Sequence, residues 1–181
     1  MRFTYTDIFG WFDFEDIYLE AVATAQDGAV FVEVGCCLGR STAFMAAAIR
    51  DTGKRITFHA VDPWVWSPND KPSYGQFVAN MRKAGVTAFV QAHRALSVPT
   101  AADFDDASLD FVFIDAQHTY EEVSADIRAW LPKVRPGGVL AGHDFHAQFP
   151  GVLQAVQENL PQAAVQTRGS SFWYQLPQVG L

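Results

Sequence analysis

Cysteine is scarce in this sequence, because Cys36 and Cys37 are the only two among 181 residues. Neighbouring cysteines rarely form a disulfide, since the bridge would strain the peptide between them. Two thiols alone also cannot complete a structural zinc site. We therefore expect neither a disulfide framework nor structural zinc, and we interpret both cysteines as reduced thiols at the end of a buried strand.

Positive charge is sparse as well, since 13 Lys and Arg stand against 20 Asp and Glu. Nucleic-acid binding needs clustered Lys and Arg to neutralise phosphates, so we expect no such partner. No apolar run approaches the roughly 20 residues that span a bilayer. The first residues also lack the basic and apolar regions of a signal peptide. These absences predict a cytoplasmic protein that does not bind membranes, and 49% apolar content suits one domain over residues 1–181.

Apolar runs alternate with helical patterns, which is typical of an α/β fold with a mainly parallel sheet. The predicted strands are 29–33, 57–61, 88–91, 109–114, 139–142, 164–167 and 172–175. The predicted helices are 14–22 with Asp13 as N-cap, 41–52 ended by Gly53, 74–84, 119–130 and 152–159. Segment 63–73, with its prolines, is predicted to be a loop and 135–138 (RPGG) a turn. Asp126 is interpreted as part of a solvated helix face.

The segment EVGCCLG at 33–39 joins the first predicted strand to a helix. A dinucleotide site needs a glycine where Cys37 stands, because the backbone must approach the pyrophosphate closely. A ligand without phosphates fits better. Glu33 can accept from an ammonium group, the helix N-terminus favours a carboxylate, and Asp62 can accept from the hydroxyls of a ribose. These groups together describe S-adenosylmethionine; the alternative is that the glycines only turn the chain while both acids are solvated.

Asp115 and Asp144 end two predicted strands that should be neighbours, about 4.8 Å apart. Their carboxylates can converge to hold a divalent ion such as Mg²⁺. A nitrogen ligand at such a site would favour Mn²⁺ or Fe²⁺, which accept nitrogen more readily. His118 has an ordinary pKa of about 6.5 and can take a proton from a hydroxyl. The alternatives are that His118 caps the following helix and that Asp144 bonds backbone amides of a turn.

Three stretches carry a resemblance to a known family: EVGCCLG with Asp62, FIDAQHTYEEV at 113–123 and RPGGVLAGHD at 135–144. They resemble class I S-adenosylmethionine-dependent methyltransferases. The last two resemble more specifically the group of macrocin and other sugar O-methyltransferases and cephalosporin hydroxylase-like proteins. The resemblance implies a three-layer Rossmann-like methyltransferase sandwich whose sheet has about seven strands, the last antiparallel.

Residue roles also follow from the resemblance. It implies that the cofactor is bound by Glu33, Gly35, Gly39, Ser41, Asp62, His93 and Asp115. The catalytic residues would be His118, Asp115 and Asp144, and the metal ligands would be Asp115, His143 and Asp144.

We expect methyl transfer to a hydroxyl of a small molecule of sugar, polyketide or phenolic type, with or without a divalent metal. Residues 1–27 are expected to form a helix and a cover for the acceptor, and a homo-oligomer would help to complete the pocket. One alternative is a protein that binds the cofactor without transfer and acts as a binding or partner subunit. Two other functions are disfavoured. Cys37, in place of a glycine, argues against a nicotinamide-dependent oxidoreductase, and the lack of an N/D-P-P-Y/F motif argues against N-methylation.

Overall fold

The computed structural model describes residues 3–65 and 74–178. Its strands are β1 (Val30–Val34), β2 (Thr57–Val61), β3 (Gln91–His93), β4 (Leu109–Ile114), β5 (Val134–Gly142), β6 (Val165–Arg168) and β7 (Ser171–Gln175). They form one seven-stranded sheet in the order β3-β2-β1-β4-β5-β7-β6. Strands β1 to β5 are parallel, whereas β7 is antiparallel to both β5 and β6. The predicted mainly parallel sheet with an antiparallel last strand is confirmed.

Helices cover both faces of this sheet because its strands carry apolar side chains on both sides. The helices are α1 (Glu15–Thr24), α2 (Arg40–Thr52), α3 (Tyr74–Ala84), α4 (Ser97–Ala101), α5 (Tyr120–Trp130) and α6 (Pro150–Asn159). One buried cluster joins α1, α2 and α3 to one face of the sheet. A second cluster joins α4, α5 and α6 to the other face. The three-layer arrangement implied by the resemblance is therefore confirmed.

Two predicted helix ends are confirmed by their local chemistry. Gly53 ends α2 with a φ of 70°, a left-handed conformation that glycine adopts without strain. The Thr119 hydroxyl accepts from the backbone N–H of Glu122 at 3.3 Å and donates to its carboxylate at 2.7 Å. This T-x-x-E box begins α5 where the sequence predicts it.

Three local predictions are wrong. The N-cap of α1 is Phe14 without a side-chain hydrogen bond, because the carboxylate of Asp13 is used elsewhere. The predicted strand 88–91 is instead the 3₁₀ turn Thr87–Phe89, and β3 begins only at Gln91. The predicted turn 135–138 lies within β5. Its register against β4 shifts between the pairs Leu109–Val134 and Phe111–Val139, so these residues interrupt the regular pairing, and Gly137 has the predicted positive φ, 76°.

Residues 66–73 of the predicted loop 63–73 lie outside the described residues. Among the described residues, no helix has both the length and the apolar character to cross a membrane.

Candidate active site

A cavity of about 640 Å³ opens where β1, β2 and β4 end. Its wall includes Gly35 after β1, Asp62 after β2, and Asp115 and His118 after β4, together with residues of α4 and α5. Crevices at the carboxyl ends of parallel strands are where α/β folds bind ligands. The structure thus brings both sequence motifs to a single cavity.

The carboxylate of Asp62 stabilises the loop that follows β1 through hydrogen bonds to its backbone. Its Oδ2 accepts the backbone N–H groups of Cys36 at 2.9 Å and Cys37 at 3.0 Å. Its Oδ1 accepts the N–H of Trp64 at 2.6 Å. A carboxylate oxygen has two lone pairs, so one on Oδ1 is left over for a ligand. Asp62 therefore shapes the loop as well as lining the cavity.

Three positions of this loop, Gly35, Cys37 and Gly39, have a left-handed backbone. Gly35 has a φ of 86°, and a Cβ there would lie 2.0 Å from the carbonyl oxygen of Asp115. Only glycine can lie this close to the neighbouring backbone. Cys37 has a φ of 47°, unusual for a residue with a side chain, and it lines the cavity.

Glu33 lies behind the cavity wall rather than in it. It is buried, accepts a hydrogen bond from the Tyr18 hydroxyl at 2.9 Å, and accepts others from the hydroxyls of Thr42 and Ser41. Burial raises the pKa of Glu33 to about 7. Because successive strand residues face opposite sides, Val34 lines the cavity while Glu33 faces α1 and α2. Its contact with an ammonium group stays a prediction.

Gly39 and His93 also lie outside the part of the cavity wall that the described residues form. A Cβ on Gly39 would lie 2.4 Å from Cε of Met81, so this glycine allows close packing with α3. Nε2 of His93 lies 2.9 Å from Nδ1 of His59, which shares its edge of the sheet. The cofactor contacts of Gly39, His93 and the buried Ser41 stay predictions.

His118 and Asp144 form the shortest contact among the predicted catalytic and metal-binding residues. Their strands are neighbours, with Ile114 paired to Gly142, and Nε2 of His118 lies 2.7 Å from Oδ2 of Asp144. This hydrogen bond raises the pKa of His118 above 6.5. Burial raises the pKa of Asp144, but the neighbouring histidines outweigh it and the net shift is downward. Ligand atoms of Asp115, His118 and Asp144 lie within 4.8 Å of one another, a spacing that suits a metal ion.

His143 is held on both sides of its ring. Nε2 lies 2.8 Å from Oδ1 of Asp13 and 3.0 Å from the Ser170 hydroxyl. Nδ1 faces the carboxylates of Asp115 at 3.6 Å and Asp144 at 3.4 Å. Burial lowers the pKa of His143, but the carboxylates outweigh it and raise the value to about 9. The set of ligand atoms within 4.8 Å of one another includes His118 and not His143, so the geometry favours His118 as the nitrogen donor, and ligation by His143 stays a prediction.

Sequence reasoning missed three residues of this region. Nε2 of His146 lies 3.8 Å from Oδ1 of Asp144, and its position two residues later was an available signal. Asp13 approaches His143 from 130 residues away, which no local pattern reveals. Asp126 was interpreted as solvated, which is wrong, because it is buried and lines the cavity. Its contact with the unpredicted helix α4 explains the error.

Known structures share this fold. The O-methyltransferase NovP has a TM-score of 0.70 and 16% sequence identity, over 91% of this chain and 79% of NovP. A SAM-dependent O-methyltransferase from Thermotoga maritima has a TM-score of 0.61 and 13% identity, over 92% of this chain and 66% of that enzyme.

A relative by sequence is the uncharacterized protein y4gI of Sinorhizobium fredii, 26% identical over 153 residues. The match takes in 78% of this chain but only 17% of y4gI, so the chain spans about a sixth of that relative's length. The family described as a methyltransferase domain matches residues 32–145, which is more than half of the sequence. The chain therefore belongs to this methyltransferase-domain family.

Proposed function

We propose that this chain transfers the methyl group of S-adenosylmethionine to a hydroxyl of a small molecule. One observation carries the proposal: a single cavity is lined by Gly35 and Asp62 of the cofactor motifs and by Asp115 and His118 of the catalytic motif. Its volume of about 640 Å³ lies within the range of small-molecule sites. Family membership and the fold shared with two O-methyltransferases support the same reaction.

The cavity wall suits the cofactor. When bound, S-adenosylmethionine supplies a sulfonium methyl group that an oxygen nucleophile can attack. The free lone pair on Oδ1 of Asp62 is available to a ribose hydroxyl. Gly35, which has no side chain, leaves room beside Asp115, where the reactive end of the cofactor would lie.

His118 is the proposed general base. When its Nε2 donates to Asp144, Nδ1 is the nitrogen that keeps a lone pair. Nδ1 would then accept the proton of the acceptor hydroxyl as its oxygen bonds to the methyl carbon, while the bond from that carbon to sulfur breaks and leaves S-adenosylhomocysteine. The ring is 45% exposed, so an acceptor can reach it, and it packs against Phe149 with 4.7 Å between ring centres. Asp144 holds the tautomer and stabilises the imidazolium that forms.

A metal-assisted version of the reaction rests on the same residues. Two carboxylates and one imidazole, from Asp115, Asp144 and His118, form a mixed oxygen and nitrogen set within 4.8 Å. Such a set suits Mn²⁺ or Fe²⁺ better than Mg²⁺. The ion would act as a Lewis acid toward the acceptor hydroxyl, and His118 would then be a ligand rather than the base.

The N-terminal segment is the proposed cover of the acceptor. The carbonyl of Gly10 accepts from Nη1 of Arg40 at 2.8 Å, and Asp13 bonds His143, so the segment is fixed at both ends beside the catalytic cluster. Phe9 and Trp11, on either side of the Gly10 anchor, are exposed. Their rings offer apolar faces that suit the acceptor types expected from the sequence: sugar, polyketide or phenolic.

Calorimetric titration of S-adenosylhomocysteine into metal-stripped protein tests the cofactor. We expect binding that weakens at least about tenfold in Asp62→Asn, because the amide would direct N–H groups at backbone N–H donors. The exposed Asp103→Asn is the matched control and should bind like the native protein. No binding to native protein would contradict the proposal. Binding without turnover of any hydroxyl acceptor would favour a cofactor-binding subunit instead.

A further inference from the structure

Asp126 is a buried carboxylate that the proposed reaction does not use. It lies in the second turn of α5, is 5% exposed and lines the cavity. Its hydrogen-bond partner is the hydroxyl of Ser97, the first residue of α4. A carboxylate taken out of water normally needs compensating hydrogen bonds or a cation.

The hydrogen bonds of Ser97 determine which lone pairs of Asp126 stay unpaired. Nε1 of Trp130 donates to Oγ of Ser97 at 2.9 Å. Ser97 therefore keeps its own proton to donate to Asp126. Within residues 3–65 and 74–178, no cation forms an ion pair with Asp126, and burial raises its pKa to about 6. Lone pairs of this carboxylate thus remain for a donor that enters the cavity.

The wall of the cavity that Asp126 lines is mostly apolar. It includes side chains from the loop after β2 and from the start of α4, namely Pro63, Val65, Leu96, Val98 and Pro99. Val65 and Leu96 are 74% and 64% exposed, so their apolar side chains are available to a ligand that enters the cavity. Apolar walls beside one buried acceptor suit a flat heteroaromatic ring that carries an N–H donor.

We propose that Asp126 determines base specificity by accepting a hydrogen bond from the exocyclic amino group of the cofactor's adenine. The inference rests on the proposed function, since it takes S-adenosylmethionine as the ligand of the cavity. A base with a carbonyl in place of the amino group presents oxygen lone pairs to the carboxylate and is rejected. Ser97 orients the carboxylate through its hydrogen bond and is a positioning residue.

The test compares S-adenosylhomocysteine with S-inosylhomocysteine, in which a carbonyl replaces the amino group. Both are titrated calorimetrically at pH 8, where Asp126 is ionised. Native protein should prefer the adenosyl ligand at least about tenfold, the value of a hydrogen bond to a charged group. In Asp126→Asn the preference should fall to about threefold or less, because an amide can donate to the carbonyl. Glu121→Gln, an exposed change on the same helix, should keep the native preference.

The ratio of the two affinities is measured on each variant separately. A loss of protein stability weakens the binding of both ligands equally and therefore cancels in this ratio. An unchanged ratio in Asp126→Asn, or equal weakening of both ligands, would overturn the inference and leave the proposed function standing. Failure of the native protein to bind S-adenosylhomocysteine would contradict both the inference and the proposed function. If Asp126→Asn does not fold, Ser97→Ala is measured instead. Its preference should fall at least about threefold, and an unchanged preference would overturn the inference.

Discussion

Nε2 of His118 lies 2.7 Å from Oδ2 of Asp144, so an imidazole that is 45% exposed is oriented by a carboxylate whose side chain is only 11% exposed. The other oxygen of Asp144 faces Nδ1 of His143 at 3.4 Å and Nε2 of His146 at 3.8 Å. One carboxylate therefore organises three histidines. Only His118 lines the cavity, so it is the one placed to meet an acceptor.

Removal of the proposed base should slow methyl transfer without loss of the cofactor. We expect His118→Ala to lower kcat by about 10² to 10⁴, the usual contribution of general-base catalysis. The affinity for S-adenosylhomocysteine should stay near the native value. Single-turnover rates and calorimetry measure the two quantities. Asp144→Asn should lose a similar factor, and the double variant should be little worse than either. Unchanged rates in His118→Ala would contradict the role.

The pH dependence of transfer should report the His118–Asp144 pair. The pKa of His118 is raised above 6.5 by its bond to Asp144, and only the neutral ring can accept a proton. The rate should therefore rise with pH through this raised pKa and level off above it. In Asp144→Asn the rise should move to lower pH, since the neighbouring negative charge is lost. A rise at the same pH in both proteins would exclude His118 as its source.

Metal binding should depend on His118 more than on His143. We expect Mn²⁺ to bind metal-stripped protein more tightly than Mg²⁺, because the set within 4.8 Å includes an imidazole. Asp115→Asn and His118→Gln should lose this binding, whereas His143→Gln should retain it. Calorimetry with each ion measures the outcome. Loss of Mn²⁺ binding in His143→Gln alone would restore His143 as the ligand.

The glycines of the chain should differ in their tolerance of alanine. Gly35→Ala should cost more than about 3 kcal/mol, because its Cβ would lie 2.0 Å from a backbone oxygen. Gly39→Ala should cost less, since its Cβ would meet side chains, Cε of Met81 at 2.4 Å and the Phe77 ring at 2.9 Å, which can shift more readily than a backbone oxygen. Gly53→Ala, with open space around it, should lose only about 1 kcal/mol from its left-handed φ. Urea unfolding gives the three values, and equal losses would contradict the packing described.

Stability should fall as the buried Glu33 ionises. Its pKa is about 7 in the folded protein against 4.5 ordinarily, so the folded state binds the proton more tightly. This contribution is fully present below pH 4.5 and is lost as pH rises through 7. The free energy of unfolding should therefore decrease from pH 5 to 8, by up to about 3 kcal/mol from this group. In Glu33→Gln the decrease should be smaller, and an identical decrease would exclude Glu33.

The acidic residues at the strand ends could be predicted because the end of each apolar run shows where a strand ends. Asp62 and Asp115 follow such strands and reach the same cavity. Glu33 also stands near a strand end, but β1 continues one residue further and the alternation of side chains turns Glu33 into the core. A shift of one residue in a strand end thus separates a cavity residue from a buried one.

Asp126 could not be predicted because its environment is built by a segment with weak local signals. Helix α4 has five residues, Ser97–Ala101, and includes Pro99, so no periodic pattern announces it. If α4 is not predicted, an acidic residue in the second turn of α5 is expected to face solvent. The link from Asp13 to His143 was equally invisible, since it depends on the path of the chain between them.

Three distant parts of the chain meet at one imidazole. Asp13 precedes α1, His143 follows β5, and Ser170 lies in the turn between β6 and β7, where its hydroxyl also donates to Asp13 at 2.9 Å. The N-terminal segment and this turn are thereby coupled mechanically to the strand end that carries Asp144. An insertion or deletion in that turn, although remote in sequence, would shift the N-terminal segment and the catalytic edge together.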